Sequence, residues 1–159
     1  MEGMEEGSVR FVADSMLGRL AKWLRVLGYD TVYLPRYEGG ELDRFVREGR
    51  RLLSRHRQVV EQYGDSMFIA SDHVGEQLAE VKEKAPLSPE GACCFTRCLR
   101  CNRLLEEADR VEARENVPEY VFYQDMMEIR TCPSCGRFFW PGSHRKRMEE
   151  QLKRWGFLA

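Results

Sequence analysis

The chain has 159 residues, enough for one ordinary domain or for one domain with a small appendage. Apolar residues make up 43% of the sequence, which excludes a globally disordered chain, and no run approaches the ~20 apolar residues that span a bilayer. Charged residues make up 32%, yet the net charge is only -1, so a phosphate-bearing partner would have to meet a local basic patch.

Strands and helices are predicted to alternate through the first half of the chain, because short apolar runs are followed by segments with helical spacing of apolar residues. The predicted strands are VRFVA (9–13), TVYL (31–34), RRLLS (50–54) and SMFIAS (66–71). The predicted helices are SMLGRLAKWLRVLG (15–28), ELDRFVREG (41–49), RHRQVVEQYG (55–64) and HVGEQLAEVKEKA (73–85). This alternation indicates an α/β fold with a mainly parallel sheet and helices on both faces.

The segment APLSPEG (85–91) interrupts the alternation with two prolines, a serine and a glycine, and predicts a linker. We therefore expect an acidic tail over 1–8, an α/β domain over 9–84 and a second module over 92–159. In that module EYVFY (119–123) and MMEIR (126–130) are predicted to be β-strands, and SHRKRMEEQLKRWGF (143–157) a basic C-terminal helix.

Four of the six cysteines form two CxxC pairs, CLRC and CPSC. Each CxxC turn directs two sulfurs to one tetrahedral centre, and two such turns complete a closed, structural zinc site. Asn102 and Gly136 follow the pairs and suit the tight turn of a zinc knuckle. The alternatives are a thioredoxin-like redox pair or unrelated thiols, and the adjacent Cys93 and Cys94 are expected to be ordinary small apolar residues. The predicted zinc ligands are Cys98, Cys101, Cys132 and Cys135.

Polar or ionisable residues follow the predicted strands. Asp14 and Asp72 come directly after two of them, His56 comes two residues after a third, and the glycine turn after the remaining strand leads to Glu41, with Asp43 two residues on. Ligands bind beyond the carboxyl ends of parallel strands, and carboxylates gathered there suit Mg²⁺ or Mn²⁺. The alternative is that Asp14 and Asp72 simply cap the helices that follow them.

Several long stretches resemble the Mut-seven C-terminal RNase-domain family. In order, they are FVADSMLGRLAKWLRVLGYDT, RRLLSRH, FIASDHVGEQL, FTRCLRCN and CPSCGRFFWPGSH. The resemblance runs from about residue 9 to 148. It implies a PIN-like nuclease domain, a three-layer α/β/α sandwich with an acidic metal site, followed by a zinc ribbon.

The resemblance also implies roles for single residues. Asp14 corresponds to the first acid of the PIN-like site, Glu41 to an acidic stretch before the second helix, with Asp43 as its fallback, and Asp72 to the acid after the last strand. The departure is at His56, where the family usually has the aspartate of a sequence like LLTRD. Histidine brings no negative charge, so the substitution predicts altered metal preference, a weaker enzyme, or a domain that binds RNA without cutting it; alternatively, His56 simply points to solvent.

Basic side chains are candidates for phosphate contact on either side of the scissile bond, although a solvated helix face is the simpler interpretation. They are Arg19, Lys22 and Arg25 after the first acid, and Arg145 and Arg147 in the last helix. Phe138, Phe139 and Trp140 could stack on bases, but are expected to pack the ribbon against the first domain.

The sequence therefore predicts a ribonuclease that depends on Mg²⁺ or Mn²⁺ and carries a structural zinc ion. A second hypothesis is an RNA- or ribosome-binding module without catalysis, and a third is a protein-binding adaptor whose partner the sequence does not identify. The acidic, polar start of the chain is the reverse of a secretory signal, so we expect a cytoplasmic protein without a membrane partner.

Overall fold

The computed structural model describes residues 9–36, 40–85, 87 and 93–158. Its contacts divide the chain into two compact units, the first ending at Phe95 and the second beginning at Thr96. The predicted tail over 1–8 and most of the predicted linker over 85–91 lie outside the described residues. No helix formed by the described residues is both long and apolar enough to cross a membrane.

The first unit is built from alternating strands and helices, as predicted. In chain order they are β1 (Phe11–Ala13), α1 (Gly18–Val26), β2 (Thr31–Tyr33), α2 (Glu41–Arg47), β3 (Arg51–Ser54), α3 (Arg57–Gln62), β4 (Ser66–Phe68) and α4 (Val74–Lys84).

The four strands form one parallel sheet in the order β2-β1-β3-β4. The connection after β1 leads outward to β2 at one edge of the sheet. The connection after β2 crosses back over β1 to reach β3. Because crossovers of this kind are right-handed, α1 lies on one face of the sheet and both α2 and α3 lie on the other. Helix α4 contacts α1 and completes the first face. The result is the predicted α/β/α sandwich.

The buried side chains follow this layering. Val12 and Leu52 pair across β1 and β3 and pack with Leu42 of α2 and with half-buried side chains of α3, including Val59. The helix α1 buries Leu20, Ala21 and Leu24 at helical spacing, while Lys22 on its other side is exposed. The helix α1 therefore buries the face that its apolar periodicity predicts, whereas all three residues of β1 are buried and α3 contributes only half-buried apolar side chains.

The helix α1 ends in a Schellman motif, as its glycine suggested. Gly28 has φ +98°, and the amide of Tyr29 donates to the carbonyl of Leu24 at 2.9 Å. A later segment of the same unit closes over this end, where the Phe95 amide donates to the Val26 carbonyl at 2.9 Å. A β-carbon on Gly28 would lie 2.3 Å from the carbonyl oxygen of Cys93.

The second unit combines a small antiparallel sheet with three helices. The sheet has the order β5-β6-β7. The elements are β5 (Glu106–Glu107), α5 (Arg110–Asn116), α6 (Glu119–Asp125), a 3₁₀ turn (Met126–Glu128), β6 (Arg130–Thr131), β7 (Phe138–Phe139) and α7 (Ser143–Arg154). The basic C-terminal helix was predicted, whereas α5 was not.

The prediction of a strand over 119–123 is wrong, because these residues form α6. In MMEIR only Arg130 is in a strand, and Met126–Glu128 forms the 3₁₀ turn. Val121 and Phe122 of α6 are buried with Ala113 of α5 in a cluster that Phe138 and Trp140 also contact. The two aromatic residues therefore pack within the second unit.

Candidate functional site

The strand order places the direction change of the fold between β1 and β3. In doubly wound sheets the crevice beyond the carboxyl ends of the strands at this point is where ligands bind. Asp14 follows β1 directly, and the residues from Ser54 to His56 end β3 and lead into α3. A ligand-binding site is therefore expected at the ends of β1 and β3.

The carboxylate of Asp14 is completely buried, with an exposed fraction of 0%. Its Oδ2 accepts a hydrogen bond from the Ser54 hydroxyl, and its Oδ1 accepts one from the Met16 amide at 3.3 Å. The alternative that Asp14 caps the following helix is not what the structure has, because Leu17 is the N-cap of α1 and no side chain caps it. Both carboxylate oxygens of Asp14 are therefore oriented by hydrogen bonds inside the protein.

Ser54 connects the ends of the two strands. Its hydroxyl donates to Asp14, and its oxygen accepts the His56 amide at 2.9 Å. Ser54 is itself completely buried, whereas His56 is exposed and is the N-cap of α3 through its backbone. Asp14 and His56 were predicted from the sequence, but Ser54 was missed. Only the pairing of β1 with β3 places Ser54 beside Asp14, and no local sequence pattern shows that pairing.

Asp72 lies beyond the end of β4, and its side chain is 73% exposed. Its Oδ1 lies 3.5 Å from Nε2 of His73, the residue that caps α4 through its backbone, so Asp72 does not cap the helix either. A shallow pocket beside it is lined by Arg55, Ala70, Ser71, Asp72, Glu76 and Glu80. Because β3 separates β1 from β4, Asp14 and Asp72 follow strands about 10 Å apart.

Glu41 and Asp43 lie in the first turn of α2, on the exposed surface. The carboxylate of Asp43 accepts a hydrogen bond from the Tyr63 hydroxyl. This bond, together with burial and the negative charge of Asp43, raises the pKa of Tyr63 above its usual value. Asp43 is thereby engaged with the end of α3.

The predicted basic residues divide between exposed and structural positions. Arg19, Lys22 and Arg147 are exposed, whereas Arg25 donates from Nε to the Thr31 carbonyl at 2.9 Å. Nε of Arg145 lies 3.5 Å from Glu149, four residues along α7. Arg25 therefore holds the start of β2. The exposed residues stay candidates for contact with phosphates.

The four predicted zinc ligands are close together in the second unit. Their sulfur atoms all lie within 4.8 Å of one another, and Sγ of Cys98 lies 3.8 Å from Sγ of Cys135. Zinc–sulfur distances of about 2.3 Å at a tetrahedral centre require sulfurs about 3.8 Å apart. The donor set and its spacing therefore fit a metal ion such as zinc. All six cysteines are described, and none is in a disulfide.

The two CxxC turns have the same backbone hydrogen bonds. In the first, the Cys98 amide donates to Arg103 at 2.8 Å and the Cys98 carbonyl accepts from Asn102 at 2.9 Å. In the second, Cys132 makes the corresponding bonds with Arg137 and Gly136, both at 2.9 Å. The residue after each pair has a left-handed backbone, with φ 67° at Asn102 and 76° at Gly136. The turns are the two knuckles predicted from sequence.

The thiols of this cluster differ in acidity. Burial raises the pKa of Cys98 to about 12 and raises that of Cys101 as well, whereas the backbone amide of Arg137 lowers the pKa of Cys135 to about 7. Metal ligands must be thiolates, so an ion at this site has to displace the Cys98 proton throughout the neutral range.

Among the described residues, the four cysteines are the only group of three or more potential metal ligands within 4.8 Å of one another. The acids at the sheet edge are not gathered that closely. Asp14 and Asp72 supply hard oxygen donors of the kind that Mg²⁺ and Mn²⁺ prefer, at the edge where a parallel sheet binds ligands. By chemistry they suit a divalent cation, but they follow strands about 10 Å apart along the edge.

A family model described as the Mut7-C RNAse domain matches residues 9–152, nearly the whole chain. The chain belongs to this family. Membership in the Mut7-C RNAse domain family confirms the resemblance that the sequence motifs carry, and it points to a nuclease-like role. The match spans the sheet edge and both CxxC turns, so both candidate sites lie within the family's region. No curated protein sequence matches the chain.

Proposed function

We propose that the chain is a metal-dependent ribonuclease that hydrolyses RNA phosphodiester bonds at the carboxyl edge of its four-stranded sheet. The observation that carries this proposal is the placement of Asp14. Its carboxylate is buried at the direction change between β1 and β3, is oriented by Ser54, and caps no helix. Membership in the Mut7-C RNAse domain family supports RNA as the substrate.

Asp14 and Asp72 would hold Mg²⁺ or Mn²⁺, with Glu41 as a third ligand or as the group that orients water. When bound, the ion would neutralise the negative charge that develops on the phosphodiester and favour ionisation of the attacking water. The residues of the chain fix the carboxylates and the RNA backbone around the reacting phosphorus, and no covalent intermediate with the protein is required. Exposed basic residues, with Arg19 as the first candidate, would contact the flanking phosphates.

Two features of the site predict how the ion binds. Asp14 has no exposed surface, so a cation reaches its carboxylate only after neighbouring side chains move. His56 stands where the family resemblance implies an acid, so the site carries one negative charge fewer. We therefore expect weaker binding of Mg²⁺ than of Mn²⁺, because imidazole is a better ligand for Mn²⁺ than for Mg²⁺.

The second unit would carry a structural zinc ion. The four thiolates leave no position for water, and the unit depends on small hydrophobic clusters such as that of α5 and α6. Zinc would hold its two knuckles together and take no part in hydrolysis. The cytoplasmic location stays a prediction.

The test is the variant Asp14→Asn in the zinc-loaded full chain, assayed on labelled single-stranded RNA with and without added Mn²⁺. Asparagine has nearly the same shape and can still accept one hydrogen bond, but it removes the negative charge. We expect cleavage to be lost while one zinc ion per chain is retained. Mn²⁺ is omitted in the blank rather than chelated, because a chelator would also remove zinc.

The matched control is Asp65→Asn at the opposite edge of the sheet, where the carboxylate is 73% exposed and lies 3.3 Å from Arg51. This variant should cleave like the wild type. Mn²⁺-dependent cleavage that survives Asp14→Asn, in a protein with wild-type circular dichroism, refutes the proposed site.

The second candidate function is an RNA-binding module that does not cleave. The absence of a tight group of acids among the described residues, together with His56 in place of an acid, favours it. A titration with Mn²⁺, followed by the electron paramagnetic resonance signal of the free ion, separates the two functions. The nuclease binds Mn²⁺ at a site that Asp14→Asn removes, whereas the binding module binds RNA but no Mn²⁺ at the sheet edge.

A further inference from the structure

The loop between β4 and α4, which carries Asp72, is held almost entirely by side chains. The two carboxylate oxygens of Glu80 accept the consecutive backbone amides of Ala70 and Ser71, at 2.8 and 3.0 Å. Glu80 lies in α4, two turns beyond the start of the helix. One carboxylate thus fixes the orientation of two successive peptide units immediately before Asp72.

The other backbone groups of the same two residues are also bound. The Ala70 carbonyl accepts from Nη2 of Arg55 at 3.0 Å, and the Ser71 carbonyl accepts from Nε2 of Gln77 at 2.8 Å. Gln77 is 5% exposed, which is unusual for an amide side chain unless its polar atoms are paired. Residues from α4 and from the end of β3 therefore determine the path of the loop together.

The hydroxyl of Ser71 extends the network to the start of α4. It donates to Glu76, and its oxygen accepts the His73 amide at 3.0 Å. The residue enclosed between these anchors is Asp72, whose own side chain projects outward with 73% of its surface exposed. A loop of short polar residues would otherwise be free to sample several backbone conformations, and each anchor reduces that freedom.

We propose that Glu80 is a positioning residue, which holds the β4–α4 loop so that Asp72 is presented at the carboxyl edge of the sheet. The proposal rests on the proposed function, because it assigns Asp72 a cation or substrate to meet. Glu80 is suited to this role because a carboxylate can accept from both amides at once, and charged acceptors make the stronger hydrogen bonds. Glutamine in its place offers one acceptor oxygen, and its amide group faces a donor.

The test compares Glu80→Gln with Glu83→Gln, an exposed glutamate of the same helix, both in the zinc-loaded full chain. Two quantities are measured: exchange of the Ala70 and Ser71 amides by nuclear magnetic resonance, and the dissociation constant for Mn²⁺. For Glu80→Gln we expect about tenfold faster exchange at both amides, because a hydrogen bond to a charged acceptor shifts a local equilibrium by roughly this factor or more. The Mn²⁺ dissociation constant should rise by about the same factor, with Glu83→Gln unchanged in both.

A second variant, Gln77→Met, removes a different anchor of the same loop. Methionine fills a similar volume but cannot donate to the Ser71 carbonyl. It should produce the same pair of changes on a smaller scale, since the amide of Gln77 is neutral. Agreement between the two variants separates a held loop from a charge effect of Glu80 alone.

The outcomes distinguish this inference from the function on which it rests. Unchanged exchange of the Ala70 and Ser71 amides in Glu80→Gln overturns the positioning role. Faster exchange with an unchanged Mn²⁺ dissociation constant overturns it as well, because the loop would then move without consequence for the site. If the wild type binds no Mn²⁺ beyond zinc, or if Asp72→Asn leaves Mn²⁺ binding intact, the proposed function fails at Asp72 and the positioning role fails with it.

Discussion

The close approach of the Cys93 backbone to Gly28 gives a quantitative stability prediction. Gly28 has φ +98°, and a β-carbon there would lie 2.3 Å from the Cys93 carbonyl oxygen, well inside the 3.0 Å that real contacts respect. The left-handed backbone alone costs an alanine about 1–2 kcal/mol. Moving the later segment away breaks the hydrogen bond from Phe95 to Val26, worth about 1 kcal/mol, and exposes part of buried Cys94, worth about another. We expect Gly28→Ala to lower the free energy of unfolding by about 3–4 kcal/mol.

The assay is urea unfolding of the zinc-loaded protein, with Gly40→Ala as the matched control. Gly40 belongs to the same unit and also has a positive φ, +73°, but no atom of the described residues lies within 4 Å of the position of its added β-carbon. Gly40→Ala should therefore show only the backbone cost, about 1 kcal/mol. If the two variants are destabilised equally, the contact between Gly28 and the Cys93 segment has no energetic weight and the reasoning is refuted.

Three further predictions concern zinc binding by the cysteine cluster, the pH dependence of that binding, and a buried arginine just before β3. Cys98→Ser should reduce bound zinc from one ion per chain to none by elemental analysis, with Cys93→Ser unaffected. Because the pKa of Cys98 is about 12 and that of Cys135 about 7, protons compete with zinc for Cys98 throughout the neutral range and for Cys135 only near and below pH 7. Zinc affinity measured between pH 8 and pH 6 should therefore weaken on acidification, and more steeply below pH 7. Arg50→Met should cost about 2–4 kcal/mol in urea unfolding, because Nη1 of this buried residue donates to the Asp30 carboxylate at 2.8 Å and to two backbone carbonyls. An affinity independent of pH, or a loss below about 1 kcal/mol, would contradict the respective argument.

Local sequence patterns were sufficient for most of the first unit and for the zinc cluster. Apolar runs predicted its strands and helical spacing of apolar residues predicted its helices, because both patterns are local signals of burial. The CxxC spacing predicted the four cysteines, since two ligands three residues apart already determine half of a tetrahedral site.

The misread helix shows why aromatic content is an unreliable guide to strands. The segment from Glu119 to Tyr123 is rich in β-prone residues, which favours a strand. In the structure Pro118 precedes its first turn, Glu119 lies in that turn, and Val121 and Phe122 are buried while Tyr120 and Tyr123 face solvent. An alternating strand would expose every second residue, so packing against α5 decided the conformation.

The candidate acidic site depended on information that no local pattern contains. Strand order places β3 between the strands that precede Asp14 and Asp72, so the nearest polar neighbour of Asp14 is Ser54 rather than the second acid. Strand order is determined by pairing between strands that are distant in sequence. It places Asp14 and Asp72 apart, although in the sequence both simply follow a strand.

The hydrogen bond from Phe95 to the end of α1 has a consequence for which fragments of the protein can fold and for folding during synthesis. The carbonyl of Val26 finds its donor in Phe95, a residue made nearly seventy positions later, and Phe95 adopts φ 61° to supply it. A nascent chain that has emerged only as far as α4 would already hold all four strands, yet the end of its first helix would still lie open to water. The smallest autonomous fragment of this protein should therefore extend through Phe95, and shorter ones should be more susceptible to proteases at α1.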